Sequence, residues 1–90
     1  MSTSNLERIF KVLASKRRLA IIQLLSKKEE MSVGDIADTI KLSLKATSKH
    51  LIILRQARFI EREQKKFVGL YSMLSDLDND TRYLLRLIIK

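Results

Sequence analysis

The chain has 90 residues, 46% hydrophobic and 31% charged, with 18 Lys and Arg against 10 Asp and Glu, a net charge of +8. That length supports one domain at most and buries too little surface to be robustly stable alone, so a partner subunit is expected. The composition argues against disorder, and the charge favours polyanions, either nucleic acid or an anionic membrane face. The absence of cysteine removes disulfides, thiolate metal sites and thiol redox sensing, and no apolar run exceeds the four residues of Leu19–Ile22, too few for a membrane span.

The N-terminal MSTSNLER lacks the apolar core of a secretory signal, so a cytoplasmic location and no membrane partner are expected. Ser4 with Glu7 reads as a capping box, and Leu6, Ile9, Phe10 and Leu13 recur at helical spacing, predicting a first helix from about Asn5 to Ala14. Ser15 is placed to cap a second helix, Lys16 to Ser26, whose apolar residues leave only a narrow polar face. Such a helix should sit centrally in the core. After the charged loop Lys27 to Glu30, Ser32 with Asp35 marks a short third helix with Val33, Ile36, Ala37 and Ile40 on one face.

Lys41, Leu42 and Ser43 interrupt that pattern, and Ser43 is a good N-cap for a fourth helix to about Ala57, with Thr47, Leu51, Leu54 and Ala57 inward. From Phe59 to Met73, aromatic and aliphatic residues flank Lys65 and Lys66, predicting a two-stranded hairpin with a basic tip. Ser75 with Asp78 is placed to cap a last helix carrying Leu77, Thr81, Leu84 and Ile88 as a seam for another helix. The order α-α-α-α-β-β-α over residues 1–90 is that of a single α+β, mostly helical, winged helix-turn-helix domain.

A helix-turn-helix reads DNA with the first two turns of its second helix. With Thr47, Leu51 and Leu54 inward, the helical period turns Leu44, Lys45, Ser48, Lys49 and Ile52 outward, combining hydroxyl, ammonium and apolar groups suited to base edges and thymine methyls. Lys41 to Lys66 holds eight Lys and Arg against Glu61 and Glu63, so most of the chain's positive charge sits on this segment. The candidate DNA contacts are Lys41 and Ser43 in the turn, Leu44, Lys45, Ser48, Lys49, His50 and Ile52 on the helix, and Arg62, Lys65 and Lys66 in the wing. For His50 the alternative is packing or capping beside the helix, and for Arg18 it is bonding to backbone rather than phosphate. The candidate dimer contacts are Leu6, Ile9 and Phe10 of the first helix with Leu77, Leu84, Leu85 and Ile88 of the last, although Leu85, like Leu87, lies off the strict seam and is also placed for the intramolecular core.

With no Cys, one His and two Gly, the usual nucleophile, base and oxyanion combinations cannot be assembled, so an enzyme is not expected. The alternative to a DNA-binding regulator is a protein-interaction module using the winged helix as scaffold.

Three segments resemble the ArsR/SmtB group of winged-helix repressors: FKVLASKRRLAII, SVGDIADTIKLSLKATSKHLIILRQARFI and LYSML. The likeness covers about Phe10 to Asp76 and is most specific in SKHL and LRQARFI. It implies a homodimer joined through the first and last helices, double-stranded DNA as partner, reading by the helix from Leu44, and a repressor role. The departures are equally specific. Where metal-sensing branches of the group carry cysteines, this chain has Met31, Ser32 and Gly34, and where another branch places His, Asp and Glu on the last helix, Asp76, Asp78 and Asp80 stand without histidine. Those carboxylates fit capping and the helix dipole, and Met31 and Met73 fit core packing, so no metal and no cofactor is expected. Arg58 stands where many members have Gly, which predicts a turn into the wing that does not use a glycine conformation.

Overall fold

The computed structural model describes residues 1–89. Its helices begin where a serine or aspartate in extended backbone accepts an amide hydrogen from three residues ahead, satisfying one of the orphan donors of the first turn. Ser2 caps α1 (Thr3–Leu13), Ser15 caps α2 (Lys16–Lys27), Ser32 caps α3 (Val33–Ile40), Ser43 caps α4 (Leu44–Gln56) and Asp78 caps α5 (Asn79–Ile88). The middle three caps are those expected. At the two ends the cap differs: Ser2 replaces Ser4, because its hydroxyl accepts from Asn5 at 3.1 Å and starts the helix earlier. Asp78 replaces Ser75, its carboxylate accepting from Thr81 at 2.7 Å, so Leu77 precedes the last helix.

The hairpin of β2 (Ile60–Lys65) and β3 (Val68–Met73) pairs Ile60 with Met73 and Lys65 with Val68. A third strand, β1 (Met31–Ser32), pairs antiparallel with the other edge of β3 through Met31 and Tyr71, giving the order β1-β3-β2. Two residues are too few to show a period of two, so no sequence pattern announces this strand. It makes β3 central and leaves β2 at the edge, where Glu61, Arg62, Glu63 and Gln64 discourage further pairing.

The core joins Ile9, Val12 and Leu13 of α1, Ile21, Ile22 and Leu25 of α2, Ile36 of α3, Leu51 and Leu54 of α4, Phe59 and Ile60 leading into the wing, and Leu85 of α5. α2 touches α1, α3, α4 and β3, the central position its narrow polar face implies. Ile9 has 0% and Leu85 6% of its surface exposed, so both are consumed inside the chain and offer almost nothing to a partner, correcting their place among the dimer contacts.

The end of α4 shows how the wing is aimed. The Arg58 amide donates to the Arg55 carbonyl and the Phe59 amide to that of Leu54, both at 3.0 Å, the two bonds of a Schellman ending. Arg58 itself has φ 65°, in the left-handed region, so the chain keeps the turn that glycine would favour, and the expectation of a different conformation is overturned. Burial of Phe59 against the core holds that turn in place despite the penalty on a residue with a Cβ.

Candidate nucleic-acid interface

α4 divides as its period requires. Thr47, Leu51 and Leu54 are buried, while Leu44, Lys45, Lys49, Ile52 and Arg55 are exposed. Leu44 and Ile52 leave 57% and 51% of their surfaces in water, so the outward face is apolar as well as cationic. Ser43 is engaged through its hydroxyl with the Ala46 amide at 3.1 Å, which makes it a cap first. Lys41 ends α3 at φ 58°, and with Leu42 and Ser43 forms the short turn between the two helices.

Ser48 and His50 are half-buried rather than outward. The His50 Nδ1 lies 3.3 Å from the Arg18 guanidinium, which also donates from Nε to the Val12 carbonyl at 2.7 Å and to the Lys11 carbonyl at 3.2 Å. Arg18 therefore closes the C-terminal carbonyls of α1, the backbone role of its two alternatives. Burial, and then the charges of Arg18 and Arg17, hold the His50 imidazole below its ordinary range, so it is neutral at pH 7.

Four cations outside the candidate contacts, Lys16, Arg17, Arg55 and Arg58, join this surface. Arg17 donates to the Ile40 carbonyl at 3.1 Å, bringing the start of α2, with Lys16, against the helix-turn-helix turn. Neither α2 nor α4 has an acidic residue in its first turn; both place cations where the helix dipole favours anions, a local cost that an external anion would offset. Arg55 continues the outward stripe of α4, and with Arg58 and Arg62 it lines a groove of about 410 Å³ between α4 and β2. Glu61 also lines it, but accepts from the Ser75 amide at 3.2 Å. Helical periodicity carried one step past Ile52 finds Arg55; only the fold brings Arg58 and Arg62 beside it.

In the wing, the Arg62 guanidinium lies 6.0 Å from the Tyr71 ring centre and donates to Gln64 at 2.8 Å. The Lys65 ammonium sits 3.2 Å from Glu30 and 3.6 Å from Glu63, and hydrogen bonding to Glu30 raises its pKa above the usual lysine value. Lys65 is thus ion-paired within the chain through exposed contacts, and Lys66 stands beside the turn without such a partner among the described residues.

Two of the three carboxylates around the start of the last helix, Asp78 and Asp80, are engaged structurally. Asp78 caps α5 and lies 2.9 Å from Arg8, and Asp80 accepts from the Asn5 amide nitrogen at 2.6 Å. Among the described residues no group of three or more His, Cys, Asp or Glu is placed to hold a metal ion.

Comparison with known proteins agrees with this geometry. The family model described as "Bacterial regulatory protein, arsR family" matches residues 15–62. An arsenical resistance operon repressor from Escherichia coli K12 is 38% identical over 61 residues, covering 67% of this chain and about half, 52%, of the relative. Among solved structures, HlyU from Vibrio cholerae is 27% identical with TM-score 0.79, over 98% of this chain and 93% of the other in its reduced form. NolR from Sinorhizobium fredii is 28% identical with TM-score 0.80, over 94% and 81%. The homodimeric winged helix-turn-helix DNA-binding domain of Mb0332 from Mycobacterium bovis is 27% identical with TM-score 0.80, over 94% and 75%. With the family model matching more than half of its length across the helix-turn-helix and the start of the wing, the chain belongs to the arsR family of bacterial regulatory proteins.

Proposed function

We propose that the protein is a dimeric, sequence-specific DNA-binding transcriptional regulator, a cytoplasmic repressor that lacks the cysteine metal-sensing site of its relatives and catalyses no reaction. The observation that carries this reading is the outward face of α4, where Leu44, Lys45, Lys49 and Ile52 stand exposed on a capped helix packed firmly through Leu51 and Leu54. Lysines supply guanine and phosphate contacts, and the two apolar chains supply contacts to thymine methyls. Lys16, Arg17 and Lys41 flank the helix-turn-helix turn, and the Arg55, Arg58 and Arg62 groove provides a seat for the phosphate strand passing between recognition helix and wing.

The dimer contact is assigned to α1 and α5, which pack on each other and expose Phe10, Tyr83, Leu87 and Ile88. Leu6, Leu77 and Leu84, half-buried in the chain, form its inner margin. Two recognition helices about 34 Å apart then read half-sites one helical turn apart. No cysteine is available to sense a metal, and Asp78 and Asp80 at the start of α5 are engaged as a cap and in contacts to Arg8 and Asn5.

The test is binding to duplexes selected from a random pool, across a salt series. Affinity should fall steeply with salt as neutralised phosphates regain counterions. Lys49→Ala should weaken binding and relax base preference, whereas Lys66→Ala should weaken it uniformly. Salt-insensitive or absent duplex binding at low ionic strength would instead favour a protein-interaction module.

A further inference from the structure

The wing ends in a side chain that its own chain leaves uncovered: Phe67 is 101% exposed, as open as in an extended peptide. It occupies the second position of the two-residue turn between the paired Lys65 and Val68. Such turns favour Asn or Gly, yet here Lys66 takes φ 54° and a phenylalanine follows it. Neither residue serves the turn, and exposing a ring that would bury roughly 150–250 Å² elsewhere gains nothing for folding.

The hairpin behind that ring is braced on both faces. On one, the Arg62 guanidinium spans the sheet over Tyr71 to Gln64, and the Gln64 amide donates to the Lys66 carbonyl at 3.2 Å. Gly69 makes room for this, because a Cβ there would collide with that guanidinium. On the other, Lys65 is held between Glu30 and Glu63. The tip is therefore a supported apolar projection about 20 Å from the base of β2. Lys66 stands beside it with no carboxylate within ion-pair distance among the described residues.

We propose that Phe67 is a wedge that enters the minor groove of the bound duplex, slides between adjacent base pairs and bends the DNA. This rests on the DNA-binding reading above. An apolar side chain can partly unstack a base step, and the cost is lowest at flexible pyrimidine–purine steps. The adjacent Lys66 ammonium supplies attraction to the phosphates, and Phe67 supplies the apolar insertion that bends the duplex. Selected duplexes should then carry TA or CA steps at the wing position, outside the bases that α4 touches.

The test uses the full chain and a duplex it selects from a random pool, end-labelled for energy transfer and carrying 2-aminopurine at the wing step. The wild type should shorten the end-to-end distance and brighten 2-aminopurine. Phe67→Ala should bind roughly ten-fold more weakly, near the lower end of what one aromatic–base contact contributes, and lose both signals without a change in salt dependence. Phe67→Leu should retain the bend. A Phe67→Ala protein that binds and bends like wild type overturns the wedge alone, as does Phe67→Lys restoring affinity through charge. A wild type that binds no duplex overturns the DNA-binding reading and the wedge with it.

Discussion

The Arg8 guanidinium donates to the Ala57 carbonyl oxygen at 2.7 Å, tying the first helix to the end of α4. The same side chain pairs with Asp78 at 2.9 Å, bonds Asn5 at 3.1 Å and stands 6.0 Å from the centre of the Phe59 ring. One residue thus joins α1, the turn into the wing and the start of α5.

Replacing Arg8 with Ala should destabilise the chain by about 1.5 kcal/mol, since charged hydrogen bonds are lost at a site still partly open to water. Arg8→Lys should recover little, because a single ammonium cannot address carbonyl, carboxylate and amide oxygen in the same fork. Urea unfolding of the three proteins measures both differences.

Arg58→Gly should move stability and binding in opposite directions. Relief of the left-handed conformation at φ 65° should add about 0.5–1 kcal/mol of stability. Loss of a guanidinium from the groove between α4 and β2 should weaken duplex binding several-fold and lower its salt dependence. Denaturation and a salt series on the same protein separate the two effects.

Thr47 is fully buried, and its hydroxyl has no hydrogen-bond partner among the described residues. Thr47→Val keeps the shape and removes the polar group, so it should stabilise the fold by about 1 kcal/mol. A loss of stability in chemical unfolding would show that the hydroxyl has a partner of its own.

Acid should weaken the fold in two steps. His50 binds its proton less readily when folded, so stability is complete above its ordinary value near 6.5 and declines as the pH falls through that value, until the lower folded-state value is passed. Asp78 is held below its ordinary 3.8, chiefly by the Thr81 amide, and its contribution is present above that value and lost as the pH falls through the lower folded one. In unfolding measured from about pH 7 down to about pH 2, His50→Gln should remove the first decline and leave the second.

Leu87 is 55% exposed on α5, so Leu87→Glu should leave the monomer folded while placing a charge in the proposed dimer contact. Sedimentation should show a monomer with an unchanged circular dichroism spectrum. A persistent dimer would move the contact away from this face.

The helix-turn-helix was legible because its information is local. Ser15, Ser32 and Ser43 mark helix starts by capping chemistry, and Thr47, Leu51 and Leu54 mark the inward face of α4 by a period that neighbours do not alter. The outward positions of Lys45, Lys49 and Ile52 follow from the same period. At the chain ends several side chains compete for one cap, and Ser2 and Asp78 prevailed over Ser4 and Ser75 through backbone geometry that residue types do not encode.

Tertiary structure decided whatever depended on residues distant in sequence. Ile9 and Leu85 went to the core because α1 and α5 pack on the rest of the chain as well as on each other; periodicity marks an apolar face without naming its partner. Lys65 found an ion-pair partner in Glu30, which the residues leading into β1 bring beside it. Arg58, Arg55 and Arg62 became one groove through the αL turn that sends the wing back along α4. Sequence by itself determined the helices, the outward face of α4 and the absence of cysteine chemistry, since these follow from local periodicity and composition. The sheet, the pairing of charges and the cover of each apolar face required the three-dimensional arrangement, because each depends on which distant residue arrives beside it.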